Sequence, residues 1–234
     1  MKAMVLAAGR GERMRPITDR IPKPLVPVAG RPLIEYHLLA LARAGIRDIV
    51  INLAYRGAQI REALADGSRF GVRIEYSDEG PEPLEVGGGI FNALPLLGGG
   101  EFIVANADVW TDFDFSTLRP LPPGAHARLV MVPPPPQAPR GDFGLEGEHL
   151  TESEHNRCTY SGIGVYSPEL FAGCEPGKFP LLPLLKRAIA GGRLLGEMHG
   201  GDWSDVGTPQ RLEALEETLR KKPSIAGRLG EDPP

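Results

Sequence analysis

Cysteine is almost absent. Cys158 and Cys174 are the only two in 234 residues, and neither belongs to a C-x-x-C pair or to a Cys/His spacing. This argues against a disulfide framework and against a zinc site, and leaves two free thiols suited to a reducing compartment. Apolar runs of membrane-spanning length are missing too, and Met1-Lys2-Ala3 passes straight into a short strand pattern without a secretory leader. A cytoplasmic location and no membrane partner are therefore expected. Basic residues are not in excess: 26 Lys and Arg stand against 30 Asp and Glu, a formal net charge of -4, which disfavours a general nucleic-acid binder. Apart from His37, which falls in a helical pattern, the histidines His126, His149, His155 and His199 are scattered without ligand spacing. No internal repeat occurs, and Gly99-Gly100 and Pro133 to Pro136 are loop material too short for a linker.

What is present is an ordinary globular composition, 41% hydrophobic, enough for one large domain or a domain with a small lobe. Strand-length apolar runs at Ala3 to Ala8, Asp48 to Leu53, Val72 to Tyr76, Glu101 to Asn106 and Ala127 to Val132 alternate with helical patterns at Leu33 to Ala44, Gly57 to Leu64 and Gly88 to Leu94. The alternation predicts an α/β layer fold around a largely parallel sheet, with ligands beyond the carboxyl ends of the strands. After Val132 the prolines break the pattern, and Asp142 to Val165 reads as short antiparallel strands. A helix at Leu181 to Ala190, a strand at Leu194 to Met198 and a last helix capped by Thr208 with Pro209 at its first position complete the domain. Residues 223–234 read as a frayed tail.

The richest segment is Leu6-Ala7-Ala8-Gly9-Arg10-Gly11-Glu12-Arg13-Met14-Arg15-Pro16, followed by Pro22-Lys23-Pro24. A buried strand runs into two glycines, whose backbone N–H groups can approach an anion closely. Arg10, Arg13, Arg15 and Lys23 then supply cations, and guanidinium forks suit phosphate oxygens. The loop reads as a phosphate-binding turn for a polyanionic ligand. Met14 occupies the third glycine of the dinucleotide fingerprint, and no Walker A ending is present, so neither of those motifs applies.

Taken together, Gly9-x-Gly11-x-Arg13-Met14-Arg15-Pro16-Ile17-Thr18, Pro22-Lys23-Pro24 and Pro27-Val28 resemble the signature of the sugar-phosphate nucleotidyltransferases. The resemblance runs from Met1 to Arg220 and implies a three-layer, Rossmann-like nucleotidyltransferase fold with a mixed, mostly parallel central sheet and a small antiparallel sugar-binding lobe. Residues 1–222 would form one domain, with a nucleotide-binding half at about 1–110 and a sugar-binding half at about 111–222. The hexapeptide array that some family members append is absent, so no acetyltransferase activity is expected, and a monomer is.

The resemblance also assigns roles. Arg15 and Lys23 would be catalytic, acting on the triphosphate and bridging substrate phosphates. Gly9, Gly11, Glu12, Arg13, Lys23, Leu84 and Gly88 would bind the nucleotide, the last two within Leu84-Glu85-Val86-Gly87-Gly88-Gly89, a turn whose glycines would let the backbone approach the base. Asp108, at the end of the apolar strand Phe102 to Asn106, and Asp205, in Trp203-Ser204-Asp205-Val206-Gly207-Thr208, would hold Mg²⁺, a hard ion that takes oxygen ligands and shares them with phosphates. Asp202 is a nearby alternative, while Asp112 and Asp114 read as a turn and a cap. Asn106, Asp142, Glu154, Tyr160 and Ser161 are the candidate sugar contacts, Glu154 by position only, because the family's E-K-P segment is missing.

The implied reaction is attack by a sugar 1-phosphate oxygen on the α-phosphorus of a nucleoside triphosphate. A phosphate monoester has a second pKa of about 6, so no general base is needed, and the protein's task is positioning and charge neutralisation. Pro32-Leu33-Ile34-Glu35-Tyr36-His37, Asp66-Gly67-Ser68-Arg69-Phe70-Gly71 and Glu85-Val86-Gly87-Gly88-Gly89-Ile90 are most similar to the branch of the family that uridylylates N-acetylmuramic acid 1-phosphate for peptidoglycan recycling, which implies UTP and that sugar phosphate as substrates. Alternatives are a guanylyl, thymidylyl or glucose-1-phosphate uridylyl transferase, or a catalytically silent NDP-sugar sensor. A Rossmann oxidoreductase is disfavoured because the second strand closes on Ile51-Asn52-Leu53 without a ribose-binding acid.

Overall fold

In the computed structural model, which describes residues 1–222, Ala3, Met4 and Val5 are fully buried at the middle of the molecule. They belong to β1 (Lys2–Leu6), which lies between two parallel neighbours and is covered on both faces, as a continuous apolar run requires. The chain proceeds through the small hairpin β2 (Pro27–Val28) and β3 (Arg31–Pro32), helix α1 (Leu33–Arg43), β4 (Asp48–Leu53), α2 (Gly57–Leu64), β5 (Arg73–Asp78), α3 (Glu85–Leu97), β6 (Phe102–Asn106), β7 (Val109–Thr111) and β8 (Ala127–Val132). It continues with β9 (Phe143–Glu146), β10 (His149–Thr151), β11 (Arg157–Tyr166), α4 (Leu182–Ala190), β12 (Leu194–Met198), β13 (Trp203–Asp205) and α5 (Pro209–Lys221). The twelve residues at 223–234, expected as a frayed tail, lie outside the described residues.

Nine strands form one mixed sheet in the order β5-β4-β1-β6-β11-β8-β12-β10-β9. The four strands of the N-terminal half are all parallel, and the antiparallel pairings belong to the second half, beginning where β11 runs against β6. Alternate residues serve opposite faces. Ala3, Val5, Ile49 and Ile51 pack with Leu38, Leu39, Ile60 and Leu64 of α1 and α2, whereas Met4, Val50 and Val104 pack with Ile90 and Ala93 of α3 and Leu184 and Leu185 of α4. A third cluster, Met14, Val26, Val28, Leu33, Tyr36, Trp110, Val206, Leu215 and Leu219, gathers the N-terminal loop, β7 and α5 beside the sheet's carboxyl end.

Most elements match the expected spans closely. α3 starts and ends three residues beyond Gly88 to Leu94, because it absorbs Pro95 near its end and begins at Glu85, whose φ of 61° is unusual for a residue with a side chain. The last helix is capped as expected, the Thr208 hydroxyl accepting the Arg211 N–H at 3.3 Å.

Candidate active site

The chain leaves β1 through buried Ala7 and Ala8 and turns at Gly11, whose φ of +64° and close neighbours, the Thr18 methyl and Lys23 Cβ, exclude a side chain. The Thr18 hydroxyl and the Met14 N–H both donate to the Gly11 carbonyl at 2.9 Å. Met14 is fully buried against Trp110 and Val206. A dinucleotide loop would need glycine at that position; here an apolar anchor fixes the loop and leaves Gly9, Arg10, Glu12 and Arg13 at the rim of a cleft.

That cleft, about 570 Å³, is lined by Leu6 to Arg13, Lys23, Asn52, Glu79, Glu85, Val86, Asn106, Asp108 and Gly207 among others. It opens past the carboxyl ends of β1, β4, β5 and β6, as the parallel sheet predicts. Lys23 is buried and its Nζ lies 2.6 Å from Asp108 Oδ2, so a phosphate-side cation and a strand-end acid meet on the cleft floor.

β13 brings the backbone of the second acid alongside Asp108, although Asp205 itself is not among the cleft's lining residues. It pairs antiparallel with β7 so that Asp205 stands opposite Val109, and the Val206 N–H donates to the Asp108 carbonyl at 3.0 Å. Asp205 Oδ2 accepts from Arg211 at 2.6 Å, while its Oδ1 is buried without a hydrogen-bond partner. With Asp108 on the backbone paired to this strand end, the open acceptor belongs to an oxygen-only donor set, which fits a hard divalent cation that draws its remaining ligands from phosphate and water. Among the described residues no cluster of three or more His, Cys, Asp or Glu is poised for a metal, so substrate oxygens would have to complete the shell.

Two side chains absent from the sequence-level assignment brace the cleft. The Ala7 N–H donates to Asn52 Oδ1 at 2.7 Å, Asn52 Nδ2 donates to Glu79 Oε1 at 2.6 Å, and the Leu84 N–H donates to Glu79 Oε2 at 2.7 Å. This relay ties the glycine loop to the Leu84 turn across the ends of β4 and β5. The signal for it was the polar Asn52 inside an apolar strand, where a buried amide needs partners.

The Leu84 to Gly89 turn has another origin than the one expected. A Cβ on Gly87 would meet the Phe179 ring at 2.6 Å, one on Gly88 the Gly177 carbonyl oxygen at 2.2 Å, and one on Gly89 Glu79 Oε1 at 2.4 Å. The three missing side chains thus face protein. The Gly88 N–H donates to Phe179 O at 3.0 Å and the Phe179 N–H to Leu84 O at 3.1 Å, so the segment before α4 sits on the glycines. Pro83, Glu85 and Val86 line the cleft; Leu84 and Gly88 are not among its lining residues.

Glu85, Val86 and Asn106 also border a second compartment of about 820 Å³, which continues past Asp142, Glu152, Glu154, Arg157 and Tyr160 to α4. Asp142 Oδ2 accepts the Tyr160 N–H at 2.8 Å, and the Tyr160 hydroxyl lies 2.8 Å from that of Tyr166, its phenol pKa pushed up by burial. Glu154 is bound to Arg140 at 2.7 Å and Arg157 at 3.4 Å, and the Arg140 guanidinium holds its carboxyl below the usual range. Ser161 is buried, with its carbonyl accepting Trp203 Nε1 at 2.8 Å, and it lines neither compartment. Arg15 also stands apart: its side chain is 59% exposed and ion-paired with Asp19 at 3.2 Å, outside the residues lining the cleft.

Comparison with known proteins places this geometry. The family described as Nucleotidyl transferase matches residues 2–145, more than half of the chain. The chain belongs to the nucleotidyl transferase family. The N-acetylmuramate alpha-1-phosphate uridylyltransferase of Neisseria meningitidis serogroup B is 51% identical over 91% of this chain and 96% of its own length. The enzyme of the same name from Caulobacter vibrioides is 37% identical over 93% and 96%. A solved structure described as a glucose-1-phosphate thymidylyltransferase of Bacillus anthracis superposes with a TM-score of 0.81 at 20% identity, covering 94% of this chain and 95% of the other, which shows the shared fold. The matched span contains the glycine loop, Lys23 and Asp108. No helix among the described residues is long and apolar enough to cross a membrane.

Proposed function

We propose that this nucleotidyl transferase moves a uridylyl group from UTP to N-acetylmuramic acid 1-phosphate, giving UDP-N-acetylmuramic acid and pyrophosphate, as a cytoplasmic, monomeric enzyme of peptidoglycan recycling. The observation that carries the chemistry is the meeting of Lys23 and Asp108, 2.6 Å apart, on the floor of a cleft rimmed by Arg10, Arg13 and the glycine loop. The substrate pair follows from the relative that is 51% identical over nearly the whole of both chains.

In this reading the triphosphate lies along Gly9 to Arg13, whose backbone N–H groups and guanidinium groups offset its charge. An oxygen of the sugar 1-phosphate attacks the α-phosphorus. A new P–O bond forms, the bond to the bridging oxygen breaks, and its electron pair leaves with pyrophosphate. Lys23 reduces the repulsion between the two anions, and Arg15 acts on the departing pyrophosphate. Asp108 and Asp205 would hold Mg²⁺, which would neutralise charge developing at the α-phosphate. The base would rest near Pro83, Glu85 and Val86, and the sugar beyond Asn106, near Asp142, Tyr160 and Glu154. Residues 1–110 and 111–222 would serve as nucleotide and sugar halves of one domain.

Pyrophosphate release tests the reading, with UTP, GTP, CTP, ATP and dTTP each paired with N-acetylmuramate, N-acetylglucosamine, glucose and mannose 1-phosphates in Mg²⁺. Selective turnover of UTP with N-acetylmuramate 1-phosphate is expected. Preference for another pair would sink the substrate assignment, and folded protein silent on every pair would sink the enzyme reading.

A further inference from the structure

The second compartment has a wall and a cation matched to one substituent. Among the described residues, four large apolar side chains are exposed, Met1, Val86, Leu182 and Met198, and two of these, Val86 and Leu182, line this compartment. Lys186 lies four residues after Leu182 on α4 and lines it too, so an apolar side chain and an ammonium share one helix face a turn apart. Exposed apolar area beside a charge, lining a cavity, is the pattern of a ligand surface.

Three cations border the compartment, and their states differ. Arg157 is locked: its guanidinium donates to the carbonyls of Arg140, Gly141, Asp142 and Ser153 as well as to Glu154, and its side chain is only 14% exposed. Arg140 pairs with Glu154 at 2.7 Å, the two side chains 77% and 62% exposed, and shares that carboxyl with Arg157. Lys186 has one partner, Glu152 Oε1 at 2.6 Å, with the two side chains 51% and 56% exposed. Such a half-exposed pair is weak and exchanges readily, and each member is solvated when released. Of the other acids, Asp142 accepts the Tyr160 N–H and Glu154 is paired with its arginines, while Glu85 stands at the rim shared with the first cleft.

We propose that Lys186 is a specificity residue that binds a carboxylate on the sugar, displacing Glu152, while Leu182 packs on the apolar part of the same substituent. Resting on the function proposed above, this assigns the 3-O-lactyl ether of N-acetylmuramic acid, a carboxylate and a methyl group on one carbon, to the α4 face. It also makes Glu152 the gatekeeper of that cation.

The test compares kcat/KM for N-acetylmuramate 1-phosphate with that for N-acetylglucosamine 1-phosphate, which lacks the lactyl group, both with UTP. Lys186→Ala is expected to lower the ratio at least tenfold, mainly through KM for the lactyl sugar, with Lys186→Arg retaining most of it. Glu152→Gln, which removes the competing carboxylate, is expected to lower that KM. A ratio within threefold of wild type in Lys186→Ala, or a fall produced by Arg140→Ala in its place, overturns the assignment, as does a raised KM in Glu152→Gln. Wild-type protein that turns over other sugar phosphates but not the lactyl sugar defeats the proposed function itself, and this assignment with it.

Discussion

Lys23 Nζ stands 2.6 Å from Asp108 Oδ2, the lysine buried and the acid partly open to the cleft. One ion pair thus joins the loop that follows β1 to the end of β6. Removing either member should act on the chemical step, because each meets a charge that grows as pyrophosphate departs. Lys23→Ala and Asp108→Asn are each expected to lower kcat about a hundredfold, on the order of 3 kcal/mol in the barrier. Steady-state pyrophosphate release at saturating substrates checks this; rates within threefold of wild type would remove the pair from the mechanism.

Asp205 should govern the metal. Its buried Oδ1 lacks a hydrogen-bond partner, so Asp205→Asn would place an amide where a cation ligand is needed. The Mg²⁺ concentration for half-maximal rate is expected to rise roughly ten- to a hundredfold, the range usual for a lost ligand-shell interaction. An unchanged Mg²⁺ titration would return Asp205 to its structural role with Arg211.

Arg15 is the sharpest test of the family-based assignment, since its side chain lies outside the cleft and pairs with Asp19. If the guanidinium engages pyrophosphate, Arg15→Ala lowers kcat about a hundredfold, whereas Asp19→Ala, which frees the arginine, does not. A kcat near that of wild type in Arg15→Ala would confine the residue to the surface.

The relay from Ala7 through Asn52 and Glu79 to Leu84 should set nucleotide affinity. Asn52→Ala leaves the Ala7 N–H and one Glu79 oxygen without their partners, at a cost of about 1–3 kcal/mol in stability. KM for UTP should rise more than kcat falls. Gly88→Ala, whose Cβ would sit 2.2 Å from the Gly177 carbonyl oxygen, should destabilise by about 1–3 kcal/mol through overpacking. Urea unfolding and UTP titration separate the two effects; an Asn52→Ala protein with unchanged KM for UTP would leave the relay a purely structural device.

His37 is buried, its Nε2 2.8 Å from the Val109 carbonyl, and burial lowers its pKa below the ordinary 6.5. His126 is lowered as well, by burial and then by Arg193. Below about pH 6.5 the unfolded chain therefore binds more protons than the folded one. Stability is complete above that value and declines as pH falls through 6.5 toward 5, by at most about 1.4 kcal/mol per pH unit for each histidine. The carboxyls of Glu148, Glu154 and Glu217, held low by Arg119, Arg140 and Lys221, titrate below this window. Urea unfolding at pH 7.5 and 5.5 should show the loss, and His37→Gln should flatten it; an equal slope in the variant would assign the dependence elsewhere.

The elements that carried regular periodicity were legible in the sequence. β4, β8, α2 and β12 have the expected ends, and the glycine loop and Asp108 lie beyond the carboxyl ends of the strands, as the alternation implied, with Lys23 beside them, where only the family resemblance pointed. Asn52 and Glu79 were not legible as a pair, because an amide on one strand and an acid after the next become partners only through parallel register, here Asn52 opposite Ser77. The glycines of 87–89 were seen, but what approaches Gly87 and Gly88 is a segment about ninety residues later in the chain, and what approaches Gly89 is Glu79 after β5, contacts that local composition does not encode. Arg211 was missed for the same reason, since helix α5 brings it back onto Asp205 from beyond the motif.

β11 runs against β6 from Ile163 opposite Ala105 to Tyr166 opposite Phe102, and against β8 on its other side. The strand that supplies Tyr160 to the second compartment is therefore stitched to the strand that ends beside Asp108. A jaw-like opening of the two halves would have to unzip this ladder and leave its backbone groups without partners, a heavy penalty for each catalytic cycle. In the proposed reaction, substrates would enter and products would leave past the rim formed by the 9–15 turn, the 83–86 turn and the 140–142 and 152–156 segments, without parting the sheet. The continuous sheet would thus hold the two proposed phosphate sites in register throughout turnover.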